Sequence, residues 1–178
     1  MKTFEFELKF SLPEAAHKPE AFIDRLAEEG CTDALVGVGQ AGRIAFQFTR
    51  VAGSASEAVL SAHKNVKTAI PEATLIEATP DLVGLSDIAG LLGYSRQNIR
   101  KLMLNNLTSF PTPVHEGKTI LWHLSSVLIW AKERNRYQID ESLLEIANTN
   151  MQLNIAKESV QADTSMQKQF LINGVGSN

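Results

Sequence analysis

Cationic and amide side chains repeat at helical spacing between positions 96 and 101. Arg96 and Arg100 are four residues apart, as are Gln97 and Lys101, so each pair lies on one side of a helix. Arginine can donate two hydrogen bonds to guanine, and glutamine can pair with adenine in the same way. Ser95 can cap the helix and offer its hydroxyl to a phosphate. These five residues predict a helix that binds in the major groove of duplex DNA.

A shorter helix and a tight turn precede these residues. Ser86 can cap this first helix, and Gly93 suits the left-handed residue that ends it. Its apolar residues fit one face, namely Ile88, Ala89, Leu91 and Leu92. In the second helix Ile99 and Leu102 face inward, away from the cations. Two helices joined in this way form a helix-turn-helix, whose second helix lies in the major groove. A solvated cationic helix in any small helical bundle is the alternative interpretation.

A hairpin is predicted after the two helices. Residues 110–114 read Phe-Pro-Thr-Pro-Val and must be extended, because proline holds the residue before it out of the helical region. Residues 115–122 then favour a hairpin that turns about Glu116-Gly117, which would form a wing. Lys118 and Thr119 on the wing, together with Lys101, would hold phosphates, while Arg96, Gln97 and Arg100 would contact base edges.

Ser125 can start a third helix, whose inner side would carry Val127, Leu128, Trp130 and Ala131. The residues that this unit shares with a known family are the run Leu-Ser-Asp-Ile-Ala-x-Leu-Leu-Gly-x-Ser-Arg-Gln that starts at Leu85, the Phe-Pro-x-Pro-Val segment, the glycine turn, Trp122, Ser126-Val127 and Trp130. They resemble the winged helix-turn-helix of the MerR superfamily, in particular the AlpA-like and phage-excisionase-like regulators. The resemblance covers residues 81–132. It implies a DNA-binding regulator that forms a homodimer.

Charge is unevenly distributed along the 178 residues, whose formal net charge is -3. Residues 1–80 carry eight Lys and Arg against eleven Asp and Glu, a net of -3. Residues 81–137 carry seven against four, a net of +3, and residues 138–178 carry two against five, again -3. The only positive region therefore contains the predicted helix-turn-helix, as expected of a DNA-binding segment.

Several functional classes are disfavoured. Cys31 is the only cysteine, which excludes an intrachain disulfide and a cysteine-based metal site and favours a reducing cytoplasm. No apolar run of about 18 residues occurs, so we expect neither export nor membrane insertion. The four histidines lack the spacing of metal ligands, and no nucleophile has a recognisable base. We therefore expect no enzyme, no cofactor and no metal site.

Residues 1–80 predict a separate α+β domain. Phe4, Phe6, Leu8 and Phe10 alternate with charged residues, as in a strand with one buried face. A helix from Pro19, a hairpin over residues 34–50, a helix capped by Ser54 and a last strand from Thr74 follow. This strand and helix order is that of a ferredoxin-like βαββαβ sandwich. The run Gly37-Val38-Gly39-Gln40-Ala41-Gly42 matches a dinucleotide-binding fingerprint, but a strand pattern follows it, so hairpin glycines are the favoured interpretation.

The C-terminal part, residues 138–161, predicts a long helix with two apolar stripes. Leu143, Ile146, Leu153 and Val160 follow heptad spacing, with Asn150 and Lys157 at the remaining core positions. Packing on its own domain and pairing with a second protomer are both open. Residues 162–178 are rich in Gln, Ser, Asn and Gly, and we expect a mobile tail.

The sequence thus predicts an α+β protein with a ferredoxin-like domain, a winged helix-turn-helix and a C-terminal helix. Its expected function is sequence-specific binding of duplex DNA by a cytoplasmic homodimer, as a transcriptional regulator or excisionase-like architectural factor. The alternative is a protein-interaction or small-ligand module that works through the N-terminal domain.

Overall fold

A computed structural model describes residues 1–13, 19–134 and 137–174. In these ranges the chain combines seven α-helices with two antiparallel sheets, so the mixed α/β class predicted from the sequence is confirmed. The hydrophobic side chains form two buried clusters, one in the N-terminal half and one around the predicted helix-turn-helix.

The first cluster lies between a four-stranded sheet and its helices. The strands are β1 (Lys2–Ser11), β2 (Ala34–Gly37), β3 (Arg43–Ala52) and β4 (Thr74–Thr79), in the spatial order β2-β3-β1-β4. The helices are a 3-10 turn (Pro19–Phe22), α1 (Ile23–Glu28) and α2 (Ala55–Ala69). The alternation in β1 is confirmed, because Phe4, Phe6, Leu8 and Phe10 are all buried. A strand, β3, follows the glycine run at once, so that run has no helix terminus to offer a phosphate.

Acidification is expected to destabilise this unit through His63. Burial lowers the pKa of His63 below its ordinary value of 6.5, and the charge of Lys67 lowers it further. As the pH falls below 6.5 the unfolded chain therefore takes up the proton first, and the free energy of unfolding decreases until the folded form is protonated too. Urea unfolding over a pH series checks this. The decrease should be smaller in His63→Gln, and an equal decrease in both proteins would exclude His63 as its cause.

The second cluster organises residues 82–133, which contain the predicted winged helix-turn-helix and are called the winged unit after that prediction. Its elements are β5 (Leu82–Val83), α3 (Leu85–Leu92), α4 (Arg96–Leu104), β6 (His115–Glu116), β7 (Ile120–His123) and α5 (Leu124–Glu133). The strands form a small sheet in the order β5-β7-β6. Trp122 and Trp130 are both buried, and the ring of Phe110 packs edge-on against each indole. The inward position predicted for Trp130 is therefore confirmed, and Trp122 lies in the same cluster.

Three local predictions in this unit are wrong. Gly84, not Ser86, is the N-cap of α3, and its backbone N–H donates to the Asp87 carboxylate at 2.8 Å. Helix α5 begins one residue before the predicted Ser125, with His123 as its N-cap. Glu116 pairs with Ile120, so the wing turns over residues 117–119 instead of at Glu116-Gly117.

Helix α6 (Glu141–Ser159) packs against both units. Ile146 is buried in the first cluster and the next residue, Ala147, in the second. Asn150 is completely buried, whereas Val160 at the end of the stripe is 84% exposed. The chain itself thus covers most of the heptad stripe. Of the two alternatives that the sequence leaves open, this is packing of the helix on its own chain. A final helix, α7 (Thr164–Ile172), lies in the segment predicted to be a mobile tail, and none of its residues is buried.

A polar cluster joins the two units where β4 leads into β5. Asp81 is 2% exposed; one carboxylate oxygen lies 2.7 Å from His123 Nδ1, and the other accepts from the Asn154 amide at 2.8 Å. The Asn154 side chain also bonds both backbone groups of Ala78 in β4. Because buried polar groups are costly when unpaired, this cluster fixes α6 against the start of the winged unit.

Candidate nucleic-acid interface

The turn between α3 and α4 is closed by local hydrogen bonds. Gly93 has φ 71°, the left-handed conformation that favours glycine at a helix C-terminus. The next residue, Tyr94, donates its N–H to Ala89 O at 2.8 Å. Ser95 is then the N-cap of α4, as predicted, and its Oγ accepts from the Asn98 N–H at 3.2 Å. Because Ser95 Oγ is the acceptor in this bond, its O–H is left to donate to another group.

Buried apolar residues orient α4 within the unit. Ile99 is 2% exposed and lies in the second cluster, against which Leu102 is partly buried. On the opposite side Arg96, Gln97, Arg100 and Lys101 are all exposed. Within the described residues none of these four side chains makes an ion pair or an intramolecular hydrogen bond. The second helix therefore presents three cations and an amide to solvent from one rigid element.

The wing residues lie on a separate element. Lys118 and Thr119 are exposed in the turn between β6 and β7. A Cβ placed on Gly117 would lie 2.6 Å from Nε2 of the exposed His115 side chain, which would have to move to make room for it. The base of the wing lies beside the first turn of α3, because the Ile120 carbonyl oxygen is 3.8 Å from the position that a Cβ on Gly84 would take.

The predicted site residues thus form two groups. The α4 group comprises Ser95, Arg96, Gln97, Arg100 and Lys101. The wing group comprises Lys118 and Thr119. Among the described residues no hydrogen bond or ion pair joins the groups, so the shared core fixes their relative position through Ile99 and Trp122.

Two further cations of the positive region, both among the described residues, are engaged elsewhere. Lys132 pairs with Glu141 of α6 at 2.6 Å. Arg134 lies 3.9 Å from the centre of the Trp130 ring and donates to Ser109 Oγ at 2.7 Å. Asp81, one of the four acids of this region, is buried. Of the described cations in residues 81–137, those of α4 and Lys118 are therefore the ones without an intramolecular side-chain partner.

Sequence reasoning missed Tyr94 as a candidate contact. This tyrosine precedes the cap of α4 and is 44% exposed, and its ring packs edge-on against Tyr137 at 5.8 Å. A phenol O–H at this position can donate to a phosphate. The available signal was an aromatic residue in the turn immediately before the cationic helix.

A cleft separates the outer face of the larger sheet from α3. Its volume is about 910 Å³, and its walls include Glu5, Glu7 and Glu77 from the sheet and Asp87 and Leu91 from α3. Leu91, one of the residues that the sequence places on the apolar face of the first helix, is 41% exposed here. Carboxylates dominate these walls, so the cleft is unsuited to a polyanion.

No family model matches this chain, and searches of curated proteins and of solved structures give no significant match. In the described ranges, His, Cys, Asp and Glu side chains form no cluster that could hold a metal ion. The described helices include none of the length and apolar character needed to cross a bilayer.

Proposed function

We propose that this protein binds duplex DNA with sequence specificity and acts as a transcriptional regulator or an excisionase-like architectural factor. The observation that carries the proposal is the exposed outer face of α4, where Arg96, Gln97, Arg100 and Lys101 have no partners within the described residues. A rigid helix with such a surface, preceded by a second helix and a tight turn, matches the helix-turn-helix pattern of groove recognition.

The proposed fold is a ferredoxin-like sandwich followed by a winged helix-turn-helix. The strand order β2-β3-β1-β4, with all neighbours antiparallel and two helical connections, supports the first part. The sequence of α3, turn, α4, hairpin and α5 supports the second. The resemblance of residues 81–132 to the MerR superfamily is consistent with this proposal.

In the proposed complex α4 lies in the major groove. Arg96, Gln97 and Arg100 contact base edges, since guanidinium and amide groups match the patterns of guanine and adenine. Ser95 and Lys101 hold phosphates next to the helix. Lys118 and Thr119 hold phosphates from the wing. Because one recognition helix contacts only a few base pairs, specific binding is proposed to use two copies of the chain.

The salt dependence of binding to random duplex DNA tests the proposal. Each cation that neutralises a phosphate releases counterions, so a groove-binding protein loses affinity steeply as salt rises. We expect such a slope for the full chain. A chain carrying Arg96→Ala, Arg100→Ala and Lys101→Ala together should bind with a much shallower slope. No salt-dependent binding by the unaltered chain would reject the proposal.

Loss of Arg100 should reduce sequence preference as well as affinity. Arg100→Ala is expected to weaken binding to the preferred site by about 1 to 3 kcal/mol and to relax selection at one base pair. Arg100→Lys is the matched variant, since it keeps the charge and loses the bidentate geometry. Selection of sites from a randomised library measures both effects. Unchanged selection in Arg100→Ala would show that this side chain contacts only the backbone.

Loss of Lys118 should act differently, because a wing contact to phosphate carries no sequence information. Lys118→Ala is expected to weaken binding to all duplexes alike and to lower the salt slope by about one unit. Lys64→Ala, which removes an exposed cation from α2 of the other unit, is the control and should change neither quantity. Equal slopes for Lys118→Ala and Lys64→Ala would remove the wing from the interface.

A second candidate function is small-ligand binding in the cleft between the sheet and α3. The observation in its favour is the volume of about 910 Å³ at the junction of the two units. A protein with this function alone would show no steep salt dependence on DNA, so the same titration separates the two candidates.

A further inference from the structure

The two edges of the larger sheet differ in how their backbone is covered. At the β4 edge, Asn154 Oδ1 accepts from the Ala78 N–H at 2.8 Å, and its amide donates to Ala78 O at 2.9 Å. The Lys157 ammonium of the same helix donates to Ile76 O. Side chains of α6 therefore occupy the positions that a fifth strand would take. This edge is closed to further pairing.

The β2 edge has no such cover among the described residues. Thr49 N–H donates to Asp33 O at 3.0 Å, and Ala34 lies opposite Phe48 in the same register. Asp33 and Thr49 thus form a hydrogen-bonded pair, and such pairs alternate with non-hydrogen-bonded pairs along an antiparallel ladder. Leu35 and Gly37 therefore bond to β3, whereas Ala34 and Val36 do not. Both backbone groups of Val36 then point away from the sheet. An outward N–H and C=O on one residue of an edge strand can pair with the backbone of another strand.

The side chains of β2 fit a contact with an identical strand. The strand reads Ala-Leu-Val-Gly and has neither charge nor proline, two of the devices that protect natural edges. Leu35 is 74% exposed and Val38, just beyond the strand, 39%. Two copies can thus approach without like-charge repulsion and cover apolar surface as they pair.

We infer that β2 pairs antiparallel with β2 of a second copy of this chain, which joins two four-stranded sheets into one. A two-fold axis beside Val36 would let each copy donate its Val36 N–H to Val36 O of the other. The biological purpose of this dimer rests on the proposed function, because the dimer would carry two recognition helices in one particle. Because the β4 edge is closed, head-to-tail addition is blocked and the assembly stops at the dimer.

The contact is small, so the dimer should dissociate on dilution. Sedimentation velocity of the full chain over a wide concentration range is expected to show reversible change from monomer to dimer. Amide exchange at Val36 should slow as the dimer forms. A full chain that stays monomeric at every concentration, or a dimer in which the Val36 amide exchanges as fast as in the monomer, would overturn the inference.

Two variants address the edge and two serve as comparisons. Val36→Pro removes the outward N–H at a position where an edge strand tolerates proline, and Leu35→Lys places like charges across the seam with little effect on folding. Both should be monomeric. Leu60→Lys alters a similarly exposed leucine on α2, and a chain ending at Ala162 lacks α7; both should still form dimers. Dimers retained by Leu35→Lys but lost on removal of α7 would transfer the contact to the C-terminal helix.

DNA titrations on the same proteins separate this inference from the proposed function. Monomeric Leu35→Lys should bind random duplex with the affinity of unaltered chain diluted to monomer, and lose only the gain from two half-sites on one duplex. If the unaltered chain forms the Val36-paired dimer but does not bind DNA, the proposed function fails and the inference stands. If it binds DNA but never forms the Val36-paired dimer, DNA binding stands and the inference fails.

Discussion

A chain that ends at Asp140 is expected to lose cooperative folding, because α6 contributes to both hydrophobic clusters. Ile146 is 1% exposed in the first cluster, and Ala147 is fully buried in the second. Burial of one isoleucine side chain contributes about 1.5 to 3 kcal/mol, and a whole domain is stable by only about 5 to 15 kcal/mol. The truncation would also expose the β4 edge and leave Asp81 without its Asn154 partner. We therefore expect no sigmoidal transition in urea, with the protein aggregating through the exposed edge.

A chain that ends at Ala162 is the matched control. It removes α7, none of whose residues is buried, and keeps α6 whole. Its urea midpoint should equal that of the full chain. Circular dichroism and urea titration of both truncated chains make the comparison. If the chain ending at Asp140 unfolded cooperatively at the midpoint of the full chain, α6 would be an appendage and both clusters would have to be self-sufficient.

The sequence predicted well those elements whose local pattern and burial coincide. Alternation in β1, the left-handed Gly93 and the Ser95 cap are short-range signals, and the structure has each of them. The exposed cations of α4 follow from the position of Ile99 on the other side of the same helix. The candidate interface could therefore be proposed from spacing alone.

The sequence could not show which units α6 joins. Its two apolar stripes have the same pattern whether they face a second protomer or two parts of the same chain, and only the tertiary arrangement decides. Asn150 fits a coiled-coil core position, yet in the structure its amide donates to Pro80 O. Asp81 and Arg50 are charged residues that sequence patterns assign to the surface. Both are buried, because partners distant in sequence, such as Asn154 and Asp33, pair with them.

Caps were predicted less well, since several serines compete for each helix start. Ser86 and Ser125 suit a cap by type, but the strands on either side determine where the helices begin. Strand β5 pairs Val83 with Trp122 and leaves Gly84 as the first free position. A two-residue strand carries too little periodicity to be recognised in advance.

Truncation of Trp122 is expected to cost about 3 to 5 kcal/mol of stability, the usual loss for a large aromatic side chain removed from a core. The indole is 2% exposed, its Nε1–H donates to Pro111 O at 3.0 Å, and Phe110 packs edge-on against it. Trp122→Ala would leave a cavity and an unpaired carbonyl in the cluster that holds α4 and the wing together. DNA binding should therefore fall along with stability.

Trp122→Phe separates packing from direct contact. Phenylalanine fills most of the space but cannot donate a hydrogen bond to Pro111. The expected loss of unfolding free energy is therefore smaller than for Trp122→Ala: on the order of 1 kcal/mol for the hydrogen bond, and a further part for the reduced packing. Trp130 is the only other tryptophan, and its fluorescence follows urea unfolding in both variants. We expect Trp122→Phe to keep near-normal DNA affinity under conditions where it is folded. If Trp122→Ala kept full stability but lost DNA binding, the indole would instead be a DNA contact. The wing would then have to be oriented differently from the structure described here, in which Trp122 is buried.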